Sequence, residues 1–202
     1  MDILNKILSI DPAVLMQIDT MKYTTEHAKE LTGSALQNHY AAQPGFHDTS
    51  YFHFSPGREH YRLLMHISTL FDGETLFDVG TNRCMSAMAL SHNPSNRIKS
   101  YDIVQVLAEN PKISNVEFLL GDSTEDEHIK STRLIFLDVD HDGLYEDKFY
   151  AFLKSIEWKG ILILDDIHLN EPMKNFWNGI SEEKYDLTQI GHWSGTGLVV
   201  FK

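Results

Sequence analysis

The chain has little thiol chemistry to offer. Its single cysteine, Cys84, excludes an internal disulfide and fits a reducing compartment, so a cytoplasmic setting is expected. Long apolar runs are missing too. None approaches the roughly 18 residues of a membrane helix, because "GILILDD" and "RLIFLDV" both end in carboxylates. The opening "MDILNKILSIDP" lacks the basic start and small-residue cleavage site of a signal peptide. Positive charge is scarce as well: 17 Lys and Arg stand against 29 Asp and Glu, a net charge of −12, and no basic run occurs. That excludes the electrostatic footprint of a nucleic-acid binder and gives no anchor for a membrane surface. A small polar substrate, a cation or a metal-bridged substrate fits better. The eleven histidines are scattered, with no HExxH and no Cys/His zinc spacing among them.

What remains is an ordinary globular composition in 202 residues, enough for one domain with a sizeable core. The pattern changes near Phe71. Residues 1–71 read as a helical extension packed on the core. "DILNKILSI" puts Ile3, Leu4, Ile7 and Leu8 on one face before the stop Asp11-Pro12. A second helix is expected from Thr24 to about His39. A third follows Ser55-Pro56, with Ser55 as N-cap and Pro56 at the first helical position, and runs to Phe71.

Residues 72–202 read as an α/β core, because short apolar runs alternate with helical stretches as a doubly wound, mostly parallel sheet demands. The expected strands are "TLFDVG", "RIKSYDI", "VEFLLGD", "RLIFLDV" and "GILILDD". The expected helices are Met85–His92, Ile103–Glu109, Asp126–Lys130, Tyr145–Trp158 and one near Pro172–Ile180. "YDLTQI" and "LVVF" then form a hairpin that adds an antiparallel strand at the sheet edge, for seven strands in all.

In such a sheet, ligands bind beyond the carboxyl ends of the strands. Every expected strand ends there in polar, mostly acidic residues: Asp78, Gly80 and Asn82; Asp102; Asp122 and Ser123; Asp138, Asp140 and His141; Asp165 and Asp166. Helix capping explains any one of them, and explains Ser123 best. It does not explain the adjacent extras on the fourth and fifth strands. The turn "FDVGTNRCMSA" bends a strand into a helix at Gly80, and Asp102 follows about twenty residues later, where a carboxylate can accept both ribose hydroxyls of a nucleoside. These features point to an adenosine-containing cofactor without separating S-adenosylmethionine (SAM) from NAD.

"LFDVGTNRCMSAMAL", Asp102, "GDSTED", "IFLDVDHDGLYED" and "KGILILDDIH" resemble, in order and spacing, the motifs of class I SAM-dependent methyltransferases. They are most similar to those of the small metal-dependent O-methyltransferases of the catechol, caffeoyl and macrolide-sugar types. The resemblance covers residue 56 to the C-terminus. It implies that Asp78, Gly80, Thr81, Asn82 and Ser86 frame the methionine part of SAM. Asp102 with Ile103 would hold the ribose, Asp122 and Ser123 would border the adenine, and Asp138 would close the cofactor site. Cys84 stands where the family has its second glycine, which predicts a tighter pocket. The resemblance also implies one divalent ion, Mg²⁺ or another hard cation, on Asp138, Asp165 and Asp166. Three carboxylates converging there would otherwise repel one another. His141 falls where the family keeps its general base, and imidazole suits proton removal at neutral pH.

The expected activity is therefore O-methylation of a small hydroxylated molecule, with a homodimer as an admissible assembly. Three alternatives stand beside it. One is a metal-independent methyltransferase using His141 or an acid. Another is a nicotinamide oxidoreductase, disfavoured because "GTNRC" lacks GxGxxG. The last is a non-catalytic SAM-fold binding subunit. The aromatics Tyr51, Phe52, Phe54 and Tyr61 are expected mainly to pack a helical cap onto the sheet. His47, His53, His60, Trp177 and Trp193 are further candidates for the substrate side.

Overall fold

A computed structural model describes residues 3–23, 49–106 and 112–202 of the chain. Two short helices come first, α1 (Ile3–Leu8) and α2 (Pro12–Met16). The Asp11 carboxylate accepts the Ala13 N–H, and Pro12 opens α2, where no N–H is needed. The helix expected over Thr24–His39, and His47, lie outside the described residues. The helix expected from Pro56 begins later, as α3 (Tyr61–Ser68). Gly57 is the reason: its φ of +81° cannot continue a right-handed helix, and a side chain there would meet the Gln189 carbonyl at 2.8 Å. Ser55–Arg58 closes as a turn instead.

Seven strands form one sheet: β1 (Thr75–Val79), β2 (Arg97–Asp102), β3 (Val116–Leu120), β4 (Leu134–Leu137), β5 (Gly160–Asp165), β6 (Glu183–Asp186) and β7 (Thr196–Phe201). Their order is β3-β2-β1-β4-β5-β7-β6. The first five run parallel, and β7 lies antiparallel to both β5 and β6. The C-terminal hairpin thus forms, but its apolar strand inserts beside β5 and leaves the polar Glu183–Asp186 at the edge. That arrangement buries "LVVF" and gives solvent the strand that can bear it.

Helices α4 (Met85–Leu90), α5 (Leu144–Ser155) and α6 (Glu171–Gly179) match the expected positions. α5 stops short of Trp158 because Glu157 takes a left-handed φ of +52° and Trp158 turns beneath the sheet. Residues 127–130 make a 3₁₀ turn rather than a full helix. Ile103–Val106 is not helical: the Asp102 carboxylate accepts the Val104 N–H and holds a turn. Residues 107–109 of that expected helix lie outside the described residues.

Alternation along the strands divides the core in two. Leu76, Ile98, Phe136, Ile163 and Leu198 face a layer containing α3, α4 and the N-terminal residues Ile7, Leu15 and Tyr23. Phe77, Ile135, Leu137, Leu164 and Val199 face α5 and α6. Each such side chain contributes about 1.5–3 kcal/mol of burial. Arg62 on α3 ties down the N-terminal segment by donating to the carbonyls of Leu15 and Ile18 (both 3.1 Å) and Phe54 (3.0 Å). No helix among the described residues is long and apolar enough to cross a membrane.

Candidate active site

The site starts at the turn after β1. Gly80 has φ +106°, and a Cβ there would sit 1.6 Å from the Asp138 carbonyl oxygen, so the ends of β1 and β4 touch through bare backbone. Asn82 (φ +40°) and Cys84 (φ +67°) continue the turn in left-handed conformations. Cys84 therefore keeps the backbone shape of a glycine at its position while its thiol is buried. The Asp102 carboxylate pins this turn from β2 by accepting the Asn82 N–H at 2.8 Å.

A cavity of about 480 Å³ lies over the carboxyl ends of β1, β2 and β4. This is the switch in strand order, between β1 and β4. Of the residues expected to hold the cofactor, Gly80, Asn82, Asp102, Ile103, Ser123 and Asp138 line it. Ser123 is buried with its hydroxyl beside the Tyr145 phenol. Gly121 offers its open backbone side, where an added Cβ would meet nothing within 4 Å. Tyr145 closes the far wall.

A second cavity, about 540 Å³, shares Gly80, Asn82, Asp138 and His141 with the first. Thr81 and Ser86 open onto this chamber. Asp78 and Asp122 line neither. Asp78 is fully buried, which pushes its carboxyl up to about 7 even though the Ser100 and Ser86 hydroxyls oppose the shift. Asp122 caps the following turn through the Thr124 N–H at 2.9 Å.

Asp138, Asp165 and Asp166 all reach the chamber, and each faces a histidine. Asp138 Oδ1 lies 3.1 Å from His141 Nε2, Asp165 Oδ1 lies 3.2 Å from His60 Nδ1, and Asp166 Oδ1 lies 3.0 Å from His192 Nδ1. Asp166 also accepts from the Ser194 hydroxyl. Burial alone would lower the histidines, but the carboxylates outweigh it. His60 is driven up to about 9 chiefly by Asp165, and His141 to about 9 chiefly by Asp138. His192 moves the same way through Asp166. The Asp138 carboxyl is raised by burial and by Asp165, whereas His192 and Ser194 overcome burial and hold Asp166 low. The donor set is thus mixed imidazole and carboxylate. It does not fit the all-oxygen shell that Mg²⁺ takes.

His141 itself is held in a left-handed backbone, φ +57°. Glu146 accepts its N–H at 2.9 Å and Asn170 donates to its carbonyl at 2.8 Å, so neighbouring side chains fix the imidazole over Asp138. Asp142 caps α5 through the Leu144 N–H.

His60, His192 and Glu59 carry more of the chamber than their sequence positions suggest. His60 is one of the histidines expected on the substrate side, and it does line the chamber, whereas no motif surrounds His192. His53 instead bonds Thr20 (2.8 Å), Trp177 packs in the core against Gly197, and Trp193 is 65% exposed.

No protein-family model matches the chain, and no curated protein matches its sequence. Solved structures do match its fold. A Staphylococcus aureus protein provisionally named a caffeoyl-CoA O-methyltransferase aligns over 98% of this chain and 100% of its own, at 13% identity and TM-score 0.54. The SAH-bound Podospora anserina methyltransferase PaMTH1 aligns over 92% of this chain and 97% of its own, at 13% identity and TM-score 0.51. The chain has the Rossmann-like fold of class I SAM-dependent methyltransferases, with strand order 3-2-1-4-5-7-6.

Proposed function

We propose that the protein is a SAM-dependent methyltransferase acting on a hydroxyl of a small molecule. The observation that carries this reading is the pair of cavities meeting at Gly80, Asn82, Asp138 and His141, one suited to a nucleoside and the other to an acceptor. SAM, when bound, supplies an electrophilic methyl group. Asp102 would accept the ribose hydroxyls, Ser123 Oγ would meet the adenine edge, and the exposed Ile103 would lie along the ring. Thr81 and Ser86 would border the methionine end, where the chamber begins.

His141 would remove the acceptor's proton, with Asp138 stabilising the imidazolium that forms. The acceptor oxygen then forms a C–O bond to the methyl carbon as the S–C bond breaks. Since His141 titrates at about 9, turnover should rise with pH as the imidazole loses its proton. No step here calls on a metal ion. The net charge of −12 favours a small acceptor over a nucleic acid.

Calorimetric titration with SAM tests the reading directly. Binding in the micromolar range, lost in Asp102→Ala, supports it. If the folded wild-type protein binds no SAM, the reading fails, and nicotinamide cofactors become the next ligands to titrate.

A further inference from the structure

The chamber contains a second arrangement that methyl transfer does not use. His60 at the N-terminus of α3, Asp165 at the end of β5 and His192 in the β6–β7 loop each offer a ligand atom, and these atoms lie within 4.8 Å of one another. Asp165 Oδ1 stands between the two imidazoles, 3.2 Å from His60 Nδ1 and 3.6 Å from His192 Nδ1. Ligands at bond lengths of about 2.1 Å around a tetrahedral ion are roughly 3.4 Å apart.

Two of the three groups are fully enclosed. His60 is 2% exposed and Asp165 is 4% exposed. Both ring nitrogens of His60 and Oδ1 of Asp165 lack a well-formed hydrogen bond. Burying polar atoms with so little pairing is costly, and the 3.2 Å contact between His60 and Asp165 offsets only part of that cost; an ion at their centre would offset the rest.

We propose that His60, Asp165 and His192 form a binding site for one divalent transition-metal ion of the imidazole-preferring kind, with Zn²⁺ as the representative. Two nitrogens and one carboxylate oxygen suit such an ion and disfavour Mg²⁺ and Ca²⁺. Glu59 Oε2 lies 3.7 Å from His192 Nε2, outside hydrogen-bond distance but near enough for its charge to favour the proton on that nitrogen and leave the Nδ1 lone pair for the ion. Ser194 donates to Asp166, so Asp166 keeps a partner when His192 Nδ1 turns to the metal. The fourth position opens to the chamber. Bound there, the ion would link the N-terminal segment, the central sheet and the C-terminal hairpin through one point. The proposal does not rest on SAM binding.

The test uses the full chain without a histidine tag, stripped with EDTA and titrated with Zn²⁺ by calorimetry and with Co²⁺ by visible absorption, in the absence of SAM. One-to-one Zn²⁺ binding is expected, with the intense visible bands of a low-symmetry Co²⁺ site and a higher Tm when loaded. His192→Ala should weaken Zn²⁺ roughly 100-fold or more, and Glu59→Gln about 10–100-fold. A large excess of Mg²⁺ should not displace the ion. His60→Gln, a buried change, is read only where far-UV circular dichroism shows a folded protein. His192→Ala carries the test without it. Absence of Zn²⁺ binding to the wild-type chain overturns the proposal, as does binding that His192→Ala leaves unchanged or that Mg²⁺ displaces. Failure of SAM titration in the same preparation bears on methyl transfer alone.

Discussion

The two rims of the sheet are equally polar and differ in whether that polarity is answered. At the amino ends of the strands, polar groups among the described residues pair with one another. Thr132 Oγ1 donates to the Thr75 carbonyl (2.7 Å), and the Trp158 indole donates to Thr132 (2.9 Å). Asn96 accepts the Glu74 N–H and donates to Ser68 (2.8 Å), while Asn115 donates to Asn96 (3.0 Å). At the carboxyl ends, the buried polar atoms of His60, His141 and Asp165 meet one another or Asp138 as ion pairs within the chamber, and Asn82, Cys84, His141 and Asp166 hold left-handed backbones, against Glu157 alone among the described non-glycine residues at the amino ends. A rim that serves folding satisfies itself. A rim that serves a ligand leaves atoms and strain in reserve.

Substitutions can break this contrast. Gly80→Ala is expected to have the largest effect, because a methyl group would collide with the Asp138 backbone where the rims of both cavities meet. A loss of about 3 kcal/mol or more in urea melts is expected, with SAM binding abolished. A stable, SAM-binding Gly80→Ala protein would contradict the described β1–β4 contact.

His141→Gln should separate function from folding. On the proposed base role, kcat falls about 10²–10⁴-fold, while Tm stays within a few degrees because the side chain stands at the chamber wall. Once an acceptor is found, steady-state kinetics over a pH series checks this. The wild-type rise towards pH 9 should vanish in the variant.

Thr132→Val should do the reverse. It removes both hydrogen bonds of the hydroxyl at the amino-end rim and leaves buried carbonyls short of a donor, at about 1–3 kcal/mol. SAM affinity should not change. A Thr132→Val protein that melts normally but binds SAM poorly would erase the distinction between the rims.

The last expected effect is a pH drift in stability. His60 titrates at about 9 in the fold against an ordinary 6.5, so its contribution is complete below 6.5 and disappears as pH rises through 9. Metal-free protein should therefore lose stability between those values in urea melts. His60→Gln should flatten the slope.

Much of the sheet was legible in the sequence, because continuous apolar runs such as "LIFL" and "ILIL" have few other places to go. The edge was less so. "YDLTQI" marked a strand near the C-terminus, but the pairing that buries β7 and exposes β6 depends on the rest of the sheet. The start of α3 was misread because Ser55-Pro56 is a good helix opening on its own, and Gly57 overrides it only through its contact with Gln189.

At the site, motif order pointed to the residues on β1, β2 and β4. Asp78 and Asp122 carry the same local signature and point elsewhere, since a strand-end carboxylate can equally be buried or cap a turn. His60 could be named as a substrate-side candidate but its pairing could not, and Glu59 and His192 were out of reach, because 132 positions separate the two histidines and only the tertiary fold makes them neighbours.

That separation has a consequence in time. A chain under synthesis holds every lining residue of the first cavity once Tyr145 has been added, yet the chamber lacks a wall until His192 arrives, 47 residues later. Residues that precede β1 and residues that follow β5 close the chamber together, so a nascent chain or one clipped before His192 holds the lining of the first cavity and lacks a wall of the second.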